Sequence, residues 1–176
     1  MIFRPTAVED AYVIEIERIA DDRGWFGRTY SPEGFAARGV LWSIVQCSLS
    51  FNEQAGTLRG LHYQAVPYSD AKLVRCSRGT IFDVAVDLRP QSPTYCRWAG
   101  STLDAENSRA FFIPAGCAHG FLTLSDAAEV SYAIGTEYVP GAARGVRWDD
   151  PTFDIRWPSA PAVISERDAG YEDFLP

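Results

Sequence analysis

Groups that can exchange a proton near neutral pH are scarce in this sequence, which has only two histidines, His62 and His119, among its 176 residues. The two lie far apart, and no H-x-H or H-x-x-x-H pair is present, so they make a poor set of metal ligands. The sequence therefore predicts a protein without a metal. Because histidine titrates in this pH range, the surroundings of these two residues limit the reactions that the protein could catalyse more than any other feature of the sequence does.

Long apolar runs and paired cysteines are also missing. No uninterrupted apolar stretch reaches the length of a bilayer, and the first residues have no apolar signal core. The four cysteines lie far apart without a C-x-x-C pair, which argues against a zinc ribbon and a tight disulfide framework. Free thiols are typical of a reducing compartment. These absences predict a soluble cytoplasmic protein that has no membrane partner.

Positive charge is in deficit, since 16 lysines and arginines stand against 23 acidic residues and the net charge is -7. This balance argues against a protein that binds the phosphate backbone of nucleic acid, although a local basic pocket could hold one anionic ligand. The length fits a single domain, residues 1–176, with a sizeable core.

Patterns of helical period are few, and short runs rich in Val, Ile, Phe and Tyr alternate with turns that use 14 glycines and 11 prolines. The best strand is Thr80–Leu88, in which strict alternation places Phe82 and Val84 on one face and Asp83 on the other. Further strands are predicted at Val13–Arg18, Leu58–Gln64, Lys72–Cys76, Ala110–Ile113, Gly120–Leu124 and Glu129–Ile134. The sequence thus predicts an all-β sandwich or jelly-roll barrel, whose mouth commonly holds a ligand.

Two short segments carry helical signals. A peripheral helix is predicted at Ser31–Gly39, because serine suits the cap and glycine suits the exit. The segment S-E-R-D, which ends at Asp168, reads as a capping box with Ser165 at its start. Alternatively, Asp168 folds back to bond the far nitrogen of His62 and raises its basicity. Both interpretations of this segment stay open at this stage.

The run G-T-L-R-G-L-H-Y-Q, residues 56–64, carries Arg59 and His62 on a predicted strand. Strict pleating would place these side chains on opposite faces, but a bulge at Gly60 could turn both into one cavity. An arginine near a possible base suggests an anionic substrate, because its planar fork suits phosphate. The alternatives are a structural histidine and an arginine in a surface ion pair.

Four more residues are candidates for a site. Lys72 and Asp83 lie on consecutive predicted strands, where the carboxylate would keep the ammonium charged to stabilise an enolate, or would form an ordinary cross-strand salt bridge. His119 is predicted in a loop at the edge of a strand, after a proline-glycine turn. Tyr132 could act as a weak general acid or be a buried core aromatic.

A series of short motifs follows in unbroken order along nearly the whole chain. They are D-D-R-G-W-F, V-Q, T-L-R-G-L-H-Y-Q, K-L-V-R-C, G-T-I-F-D-V-A-V-D-L-R, S-P-T-Y, F-I-P-A-G-C-A-H-G-F, Y-V-P, W-D-D-P, W-P and S-E-R-D. Most of these motifs are weak alone. Together they closely resemble the dTDP-4-dehydrorhamnose 3,5-epimerase family of cupin-like jelly-rolls.

The resemblance implies a cupin-like double-stranded β-helix, which is a jelly-roll barrel, with a few short peripheral helices. It also implies a metal-free and cofactor-free epimerase that acts on a nucleotide-diphospho 4-keto-6-deoxy sugar in rhamnose-type deoxysugar biosynthesis. Members usually form a homodimer whose N-terminal strands cross between subunits. The protons on carbons 3 and 5 both flank the carbon 4 ketone, so one base and one cation can serve both centres.

By this resemblance five residues are catalytic. His62 is the base and Asp168 is its partner. Tyr132 is the acid that protonates the opposite face of the sugar. Lys72, supported by Asp83, stabilises the enolate.

The resemblance also implies a set of substrate contacts. The set is Arg23, Phe26, Arg28, Gln46, Ser48, Arg59, His119 and Tyr138. Arg59 and His119 match positions near the sugar and diphosphate. Arg23 matches a diphosphate contact that reaches across the dimer, while Gln46 and Tyr138 match positions around the nucleotide.

Three positions depart from the family pattern. The family usually has glutamate at Arg28, asparagine at Ser48 and glutamate at Ala143, and the first two lie in the region that holds the nucleoside. An arginine in place of a carboxylate reverses the local charge and the hydrogen-bonding sense. We therefore expect an altered preference for the nucleotide or for the sugar.

Two other functions compete with the 3,5-epimerase. One is a related enzyme that epimerises a single carbon, or moves the ketone between carbons 3 and 4, on a non-thymidine nucleotide sugar. The other is a module that binds a sugar nucleotide without catalysis. The presence of a complete set of candidate catalytic residues argues against the silent module.

Overall fold

The computed structural model describes residues 1–176 as two mainly antiparallel β-sheets that pack against each other, with two short α-helices outside them. The first sheet has the order β1 (Ile2–Pro5), β2 (Tyr12–Glu15), β10 (Ala110–Ile113), β7 (Lys72–Arg78), β12 (Ala128–Ile134) and β5 (Gln46–Asn52). The second has the order β13 (Ala143–Gly145), β6 (Thr57–Gln64), β11 (Cys117–Thr123), β8 (Thr80–Asp87) and β9 (Trp98–Asp104), while β14 (Val163–Ile164) pairs with β6 in parallel. A separate hairpin joins β3 (Ile19–Asp21) and β4 (Gly24–Phe26).

Several strands that are neighbours in space are distant in sequence. Strand β10 lies between β2 and β7, and β11 lies between β6 and β8. Such crossing connections between two facing sheets are typical of a jelly roll. The prediction of an all-β jelly-roll barrel with a few short helices is therefore confirmed. Neither helix has the length and apolar character that would be needed to cross a membrane.

Strand β8 shows how the barrel is filled. Its face with Ile81 and Ala85 joins the main core between the sheets, together with Val74, Phe111 and Phe121. Its other face joins a second cluster that includes Val84, Val86, Phe153, Ile155 and Trp157. The predicted alternation along this strand is correct, but both faces are buried because the C-terminal segment covers the outer one.

The helix α1 (Pro32–Ala36) covers the outer face of the first sheet. Ser31 caps it, since its Oγ accepts a hydrogen bond from a backbone N–H of the first turn. Phe35 is fully buried and packs on Phe112, with ring centroids 4.9 Å apart. The helix ends earlier than predicted, but Gly39 has the positive φ of 76° expected where the chain leaves a helix.

The S-P-T-Y segment folds around a buried carboxylate at the end of β8. Asp87 accepts hydrogen bonds from Arg89 Nε (2.9 Å), Ser92 Oγ (2.5 Å) and Thr94 Oγ1 (2.6 Å). Burial alone would raise the pKa of Asp87, but these hydrogen bonds outweigh it and lower the pKa to about 2. This motif therefore stabilises the fold rather than contributing to the cavity described below.

The sequence analysis did not predict β1, β3, β4, β5, β9, β13 and β14. Strand β5 shows one reason. Ser48, Leu49 and Ser50 line a cavity inside the barrel, but the two apolar residues that alternate with the serines, Leu49 and Phe51, are 61% and 50% exposed. Polar and apolar sides are thus exchanged relative to an ordinary barrel strand, because the interior at this position is a cavity and not a core.

Candidate active site

A glycine bulge in β6 turns Arg59 and His62 toward the same space. Arg59 pairs with Phe121 and His62 pairs with His119, so β6 contains one residue more than β11 between these two pairs. Gly60 accommodates the extra residue with a φ of 129°, a conformation that favours glycine. The predicted bulge is confirmed, and both side chains line one cavity.

This main cavity has a volume of about 690 Å³ and is enclosed by strands of both sheets. It is lined by seven predicted site residues: Ser48, Arg59, His62, Lys72, His119, Tyr132 and Asp168. A smaller cavity of about 230 Å³ shares His62 and Lys72 with it and extends to Gln46 and Tyr138. The fold thus brings together side chains that are distributed over most of the chain.

His62 and Asp168 form a close pair across 106 residues of sequence, with Nε2 of the histidine 2.7 Å from Oδ1 of the aspartate. The His62 side chain is 43% exposed, whereas that of Asp168 is 6% exposed. Asp168 belongs to helix α2 (Glu166–Ala169), and its backbone N–H donates to Ser165 Oγ. Its Oδ2 accepts a hydrogen bond from Gly60 N–H at 3.1 Å. The structure therefore shows the serine cap of the first interpretation and the contact between the aspartate and the histidine of the second.

This pair determines which nitrogen of His62 carries the proton. Burial would raise the pKa of Asp168, but the hydrogen bonds with His62 and Gly60 outweigh it and lower the pKa below the ordinary 3.8. An ionised carboxylate accepts the Nε2 proton of the neutral imidazole, which leaves the lone pair on Nδ1. His62 can therefore accept a proton through Nδ1.

Lys72 begins β7 and lines both cavities. Its Nζ lies 3.2 Å from Asp70 Oδ2 and 3.5 Å from the carbonyl oxygen of His62. It forms no ion pair with Asp83, so the predicted Lys72–Asp83 bridge is wrong. The physical reason is that β7 and β8 follow each other in sequence but lie in different sheets, so they are not paired strands.

Asp83 pairs instead with His119, whose Nε2 lies 2.7 Å from Asp83 Oδ1. Both side chains are buried, and burial raises the pKa of Asp83 against the opposing effect of the histidine. The loop position predicted for His119 is wrong, because β11 begins directly after the turn, at Cys117, and places His119 inside a central strand. Each histidine is thus held by its own buried carboxylate.

Tyr132 lies on β12, and its phenol oxygen is 3.2 Å from Ser50 Oγ. Its ring approaches that of His119 edge-on, with centroids 6.1 Å apart. Burial raises the pKa of Tyr132 well above its ordinary value, so the phenol is neutral at pH 7 and holds a proton that it can donate. The residue also packs against the main core, so the core-aromatic interpretation and a place in the cavity wall are both correct.

Two exposed arginines add positive charge to the main cavity. Arg59 Nε donates to Asn52 Oδ1 at 2.7 Å, and Arg59 forms no ion pair, so the surface ion pair considered for it is wrong. Arg167 lines both cavities and was not predicted as a site residue. Its position beside Asp168 in S-E-R-D is the signal that could have identified it. Guanidinium groups in this arrangement suit an anionic ligand.

The remaining predicted substrate contacts, together with the departing position Ala143, separate into a group that lines the cavities and a group that does not. Gln46, Tyr138 and Ala143 line the smaller cavity, where Gln46 Nε2 donates to the carbonyl of Thr136 at 3.1 Å. Ser48 lines the main cavity. The second group, in the β3–β4 region, is Arg23, Phe26 and Arg28, and none of these lines either cavity.

The β3–β4 hairpin keeps its side chains away from the cavities within one chain. Arg23 is 90% exposed at its side chain and pairs with Asp21 at 2.6 Å. Phe26 is 73% exposed, and Arg28 is exposed directly after the hairpin. The structure of a single chain therefore does not bring these three predicted contacts to the site.

The cavity combines a base of defined tautomer, a buried ammonium group and a neutral phenol. His62, Lys72 and Tyr132 supply these three groups. Such a set suits removal of a proton beside a carbonyl, with the ammonium stabilising the enolate and the phenol returning a proton.

Comparisons with known proteins agree with this chemistry. A family model described as dTDP-4-dehydrorhamnose 3,5-epimerase matches residues 5–175. A relative of that name from Methanothermobacter thermautotrophicus is 44% identical over 97% of this chain and 92% of its own length. A dTDP-4-dehydrorhamnose 3-epimerase from Streptomyces niveus is 40% identical over 96% of this chain and 81% of its own. The crystal structure of the 3,5-epimerase from Elizabethkingia anophelis has a TM-score of 0.95 at 36% identity, covering 99% of this chain and 96% of that one.

Fold, site and relatives together define an isomerase of the cupin-like jelly-roll class. Within that class, the chain belongs to the dTDP-4-dehydrorhamnose 3,5-epimerase family, and the resemblance stated from its motifs is confirmed.

The glycine bulge of β6 provides a test of the site's construction. A Cβ atom at Gly60 would lie 2.5 Å from Gly120 Cα, and the φ of 129° would be strained for any other residue. We expect Gly60→Ala to lower the free energy of unfolding by about 2–4 kcal/mol, measured by denaturant titration.

Gly141→Ala is the matched control, because a Cβ atom there would meet nothing within 4 Å. This variant should differ from the wild type by less than about 0.5 kcal/mol. Equal stability of the Gly60 variant and the wild type would contradict the need for close approach at the bulge.

Proposed function

We propose that this protein inverts carbons 3 and 5 of a dTDP-linked 4-keto-6-deoxy sugar in rhamnose-type deoxysugar biosynthesis. The observation that carries the proposal is the convergence of His62, Lys72 and Tyr132 on one cavity of about 690 Å³. The family description supports thymidine as the nucleoside and does not favour the altered preference expected from Arg28 and Ser48. Arg28 also lies outside both cavities in the single chain.

The first step is proton removal by His62. Its Nδ1 takes the proton from carbon 3 or carbon 5, the C–H electron pair moves toward the ketone, and an enolate forms. The carboxylate of Asp168, 2.7 Å from Nε2, stabilises the resulting imidazolium. The ammonium of Lys72 stabilises the negative oxygen, and it is effective because it is buried away from water.

The second step is return of a proton to the opposite face of the sugar. Tyr132 is the donor, since burial keeps its phenol protonated at neutral pH. His62 then releases its proton to solvent and the Tyr132 phenolate takes one up, which restores both groups, and no carbon changes its oxidation state over the whole reaction. We therefore propose that the enzyme needs no redox cofactor, and that it needs no metal because Lys72 stabilises the enolate.

Arg59 binds the diphosphate, and Gln46 and Tyr138 contact the nucleoside from the smaller cavity. The absence of an ion-pair partner for Arg59 supports this role, because its charge is not neutralised by the protein. His119, held by Asp83, contacts the sugar.

Solvent deuterium exchange tests the proposed function. In heavy water, a dTDP-linked 4-keto-6-deoxy sugar should gain deuterium at carbons 3 and 5, detected by NMR. Substituting His62→Ala should slow this exchange by about 10²-fold or more, because the base is removed. Sugars linked to uridine, cytidine or guanosine diphosphate should react more slowly than the thymidine form.

Each outcome of this experiment has a defined meaning. Absence of exchange with every sugar nucleotide would contradict the epimerase and favour a silent binding module. Faster exchange with a non-thymidine sugar would restore the preference expected from Arg28 and Ser48. Circular dichroism should show that the His62 variant is folded, so that lost exchange reports on the chemistry.

Inversion of carbon 3 alone is the second candidate function. The 3-epimerase of Streptomyces niveus is 40% identical to this chain, but the 3,5-epimerase of Methanothermobacter thermautotrophicus is 44% identical, so the comparisons do not favour this alternative. Deuterium at carbon 3 without deuterium at carbon 5 would support it, and a 3-keto product would indicate a ketoisomerase.

Tyr132 separates exchange from inversion. Because His62 and Lys72 suffice to form the enolate, Tyr132→Phe should keep deuterium exchange within about threefold while slowing inversion by about tenfold or more. NMR in heavy water measures both rates on the same sample. Tyr68→Phe is the matched control, since Tyr68 is 44% exposed and lines neither cavity. Equal loss of both rates in the Tyr132 variant would contradict its role as the acid.

A homodimer completes the substrate site in this proposal. Edge strand β5 exposes Leu49 and Phe51, and the β3–β4 hairpin exposes Ile19 and Phe26 at 70% and 73%. Large apolar side chains on a sheet edge and a projecting hairpin are suited to contact with another chain. Across such an interface, Arg23 would reach the diphosphate of the partner's substrate.

Light scattering tests the dimer. The wild type should have twice the mass of one chain, and Phe26→Glu should increase the monomer fraction at micromolar concentration. Asp22→Asn, an exposed change in the same hairpin, is the control. A monomeric wild type would contradict the proposal.

We also propose a cytoplasmic location. All four cysteines are free, and Cys117 is buried with its pKa raised to about 12 by that burial, so its thiol is unreactive. Recovery of the protein in the secreted fraction of cells would contradict this location.

A further inference from the structure

The smaller cavity contains a buried carboxylate that the mechanism above does not use. Asp70 precedes β7, lines this cavity and is 6% exposed. Its Oδ2 lies 3.2 Å from Lys72 Nζ, while its Oδ1 has no hydrogen-bond partner within the protein. Burial of a carboxylate oxygen without a partner is unfavourable for folding, so stability alone does not account for this residue.

Lys72 has few other contacts that could hold its ammonium group. The carbonyl oxygen of His62 is at 3.5 Å, the upper limit for a hydrogen bond. Asp83 attracts the ammonium at longer range but is bonded to His119. A lysine has a flexible four-carbon stem, and only a close charged partner restricts where its ammonium lies. Asp70 is the residue that forms this ion pair.

The ion pair stands at the boundary between the two cavities. Lys72 lines both of them, whereas Asp70 lines only the smaller one. The carboxylate therefore contacts the ammonium from the side of the smaller cavity and leaves the main cavity to the substrate. Arg59 and Arg167 also line the main cavity, but both are exposed to solvent. Lys72 is therefore the buried cation available to an enolate.

We propose that Asp70 is a positioning residue for the reaction, which holds the ammonium of Lys72 toward the main cavity. This inference rests on the proposed function, because it assumes that Lys72 stabilises an enolate. Asp70 thereby takes the supporting role that the sequence analysis assigned to Asp83. A carboxylate also weakens the field of the ammonium, so the proposal requires that the gain from positioning exceeds this loss.

Asp70→Asn removes the charge and keeps the shape. We expect kcat to fall by about tenfold or more, because the ammonium is no longer held, while KM changes by less than about twofold, because the arginine contacts remain. Asp70→Glu should retain more activity than Asp70→Asn. The control is Asp126→Asn, an exposed carboxylate that accepts a hydrogen bond from the backbone N–H of Ala55, lines neither cavity and should leave kcat unchanged.

A double-mutant cycle shows whether Asp70 acts through Lys72. In a Lys72→Met background, Asp70→Asn should have no further effect on the rate of deuterium exchange, measured over long incubation. An unchanged or higher kcat in Asp70→Asn, or the same loss of exchange in both backgrounds, would overturn the proposal. If Asp70→Asn is poorly folded by circular dichroism, Asp70→Ser gives the same comparison. Absence of exchange in the wild type would instead contradict the proposed function.

Discussion

The arrangement of the site depends on the pairing of three buried carboxylates. Asp70, Asp83 and Asp168 are 6%, 0% and 5% exposed. A carboxylate can remain charged in such a place only with a basic or hydrogen-bonding partner, so each one determines the position of the side chain it contacts. The pairs are Asp70 with Lys72, Asp83 with His119 and Asp168 with His62. Asp70 lies in the loop before β7, Asp83 on β8 and Asp168 on α2, so the fold brings each carboxylate to its partner from a different part of the chain.

The sequence predicted those features whose signals are local. Gly60 lies between Arg59 and His62, whose side chains can bind an anion and accept a proton. A glycine inside a predicted strand indicates a bulge, and the structure has one there. The alternation along β8 is visible in its residue pattern. In the structure, Ile81 and Asp83 point to one face of the strand and Val84 points to the other. By contrast, the sequence did not predict β5, because its inward side chains Ser48 and Ser50 are polar. Polar side chains can face the interior here because they line a cavity, and that cavity forms only when both sheets are assembled.

Partners of charged groups were harder to predict than the groups themselves. Lys72 and Asp83 are on consecutive strands, but β7 and β8 lie in opposite sheets, and the nearer carboxylate is Asp70 in the segment before β7. The turn before His119 was correctly recognised, yet the strand starts at its end and includes the histidine. The hairpin with Arg23 and Phe26 lies outside the cavities of its own chain, because its two strands form a sheet separate from the barrel.

The bond between His62 and Asp168 has a consequence for how activity arises during folding. It spans 106 residues and connects β6 to the short helix α2, so the entropy of closing a long loop opposes its formation. A molecule with both sheets assembled but α2 undocked would contain the cavity and an ordinary histidine without a fixed tautomer. A closed barrel is therefore not sufficient for a base of defined tautomer, and the docking of this helix is needed as well.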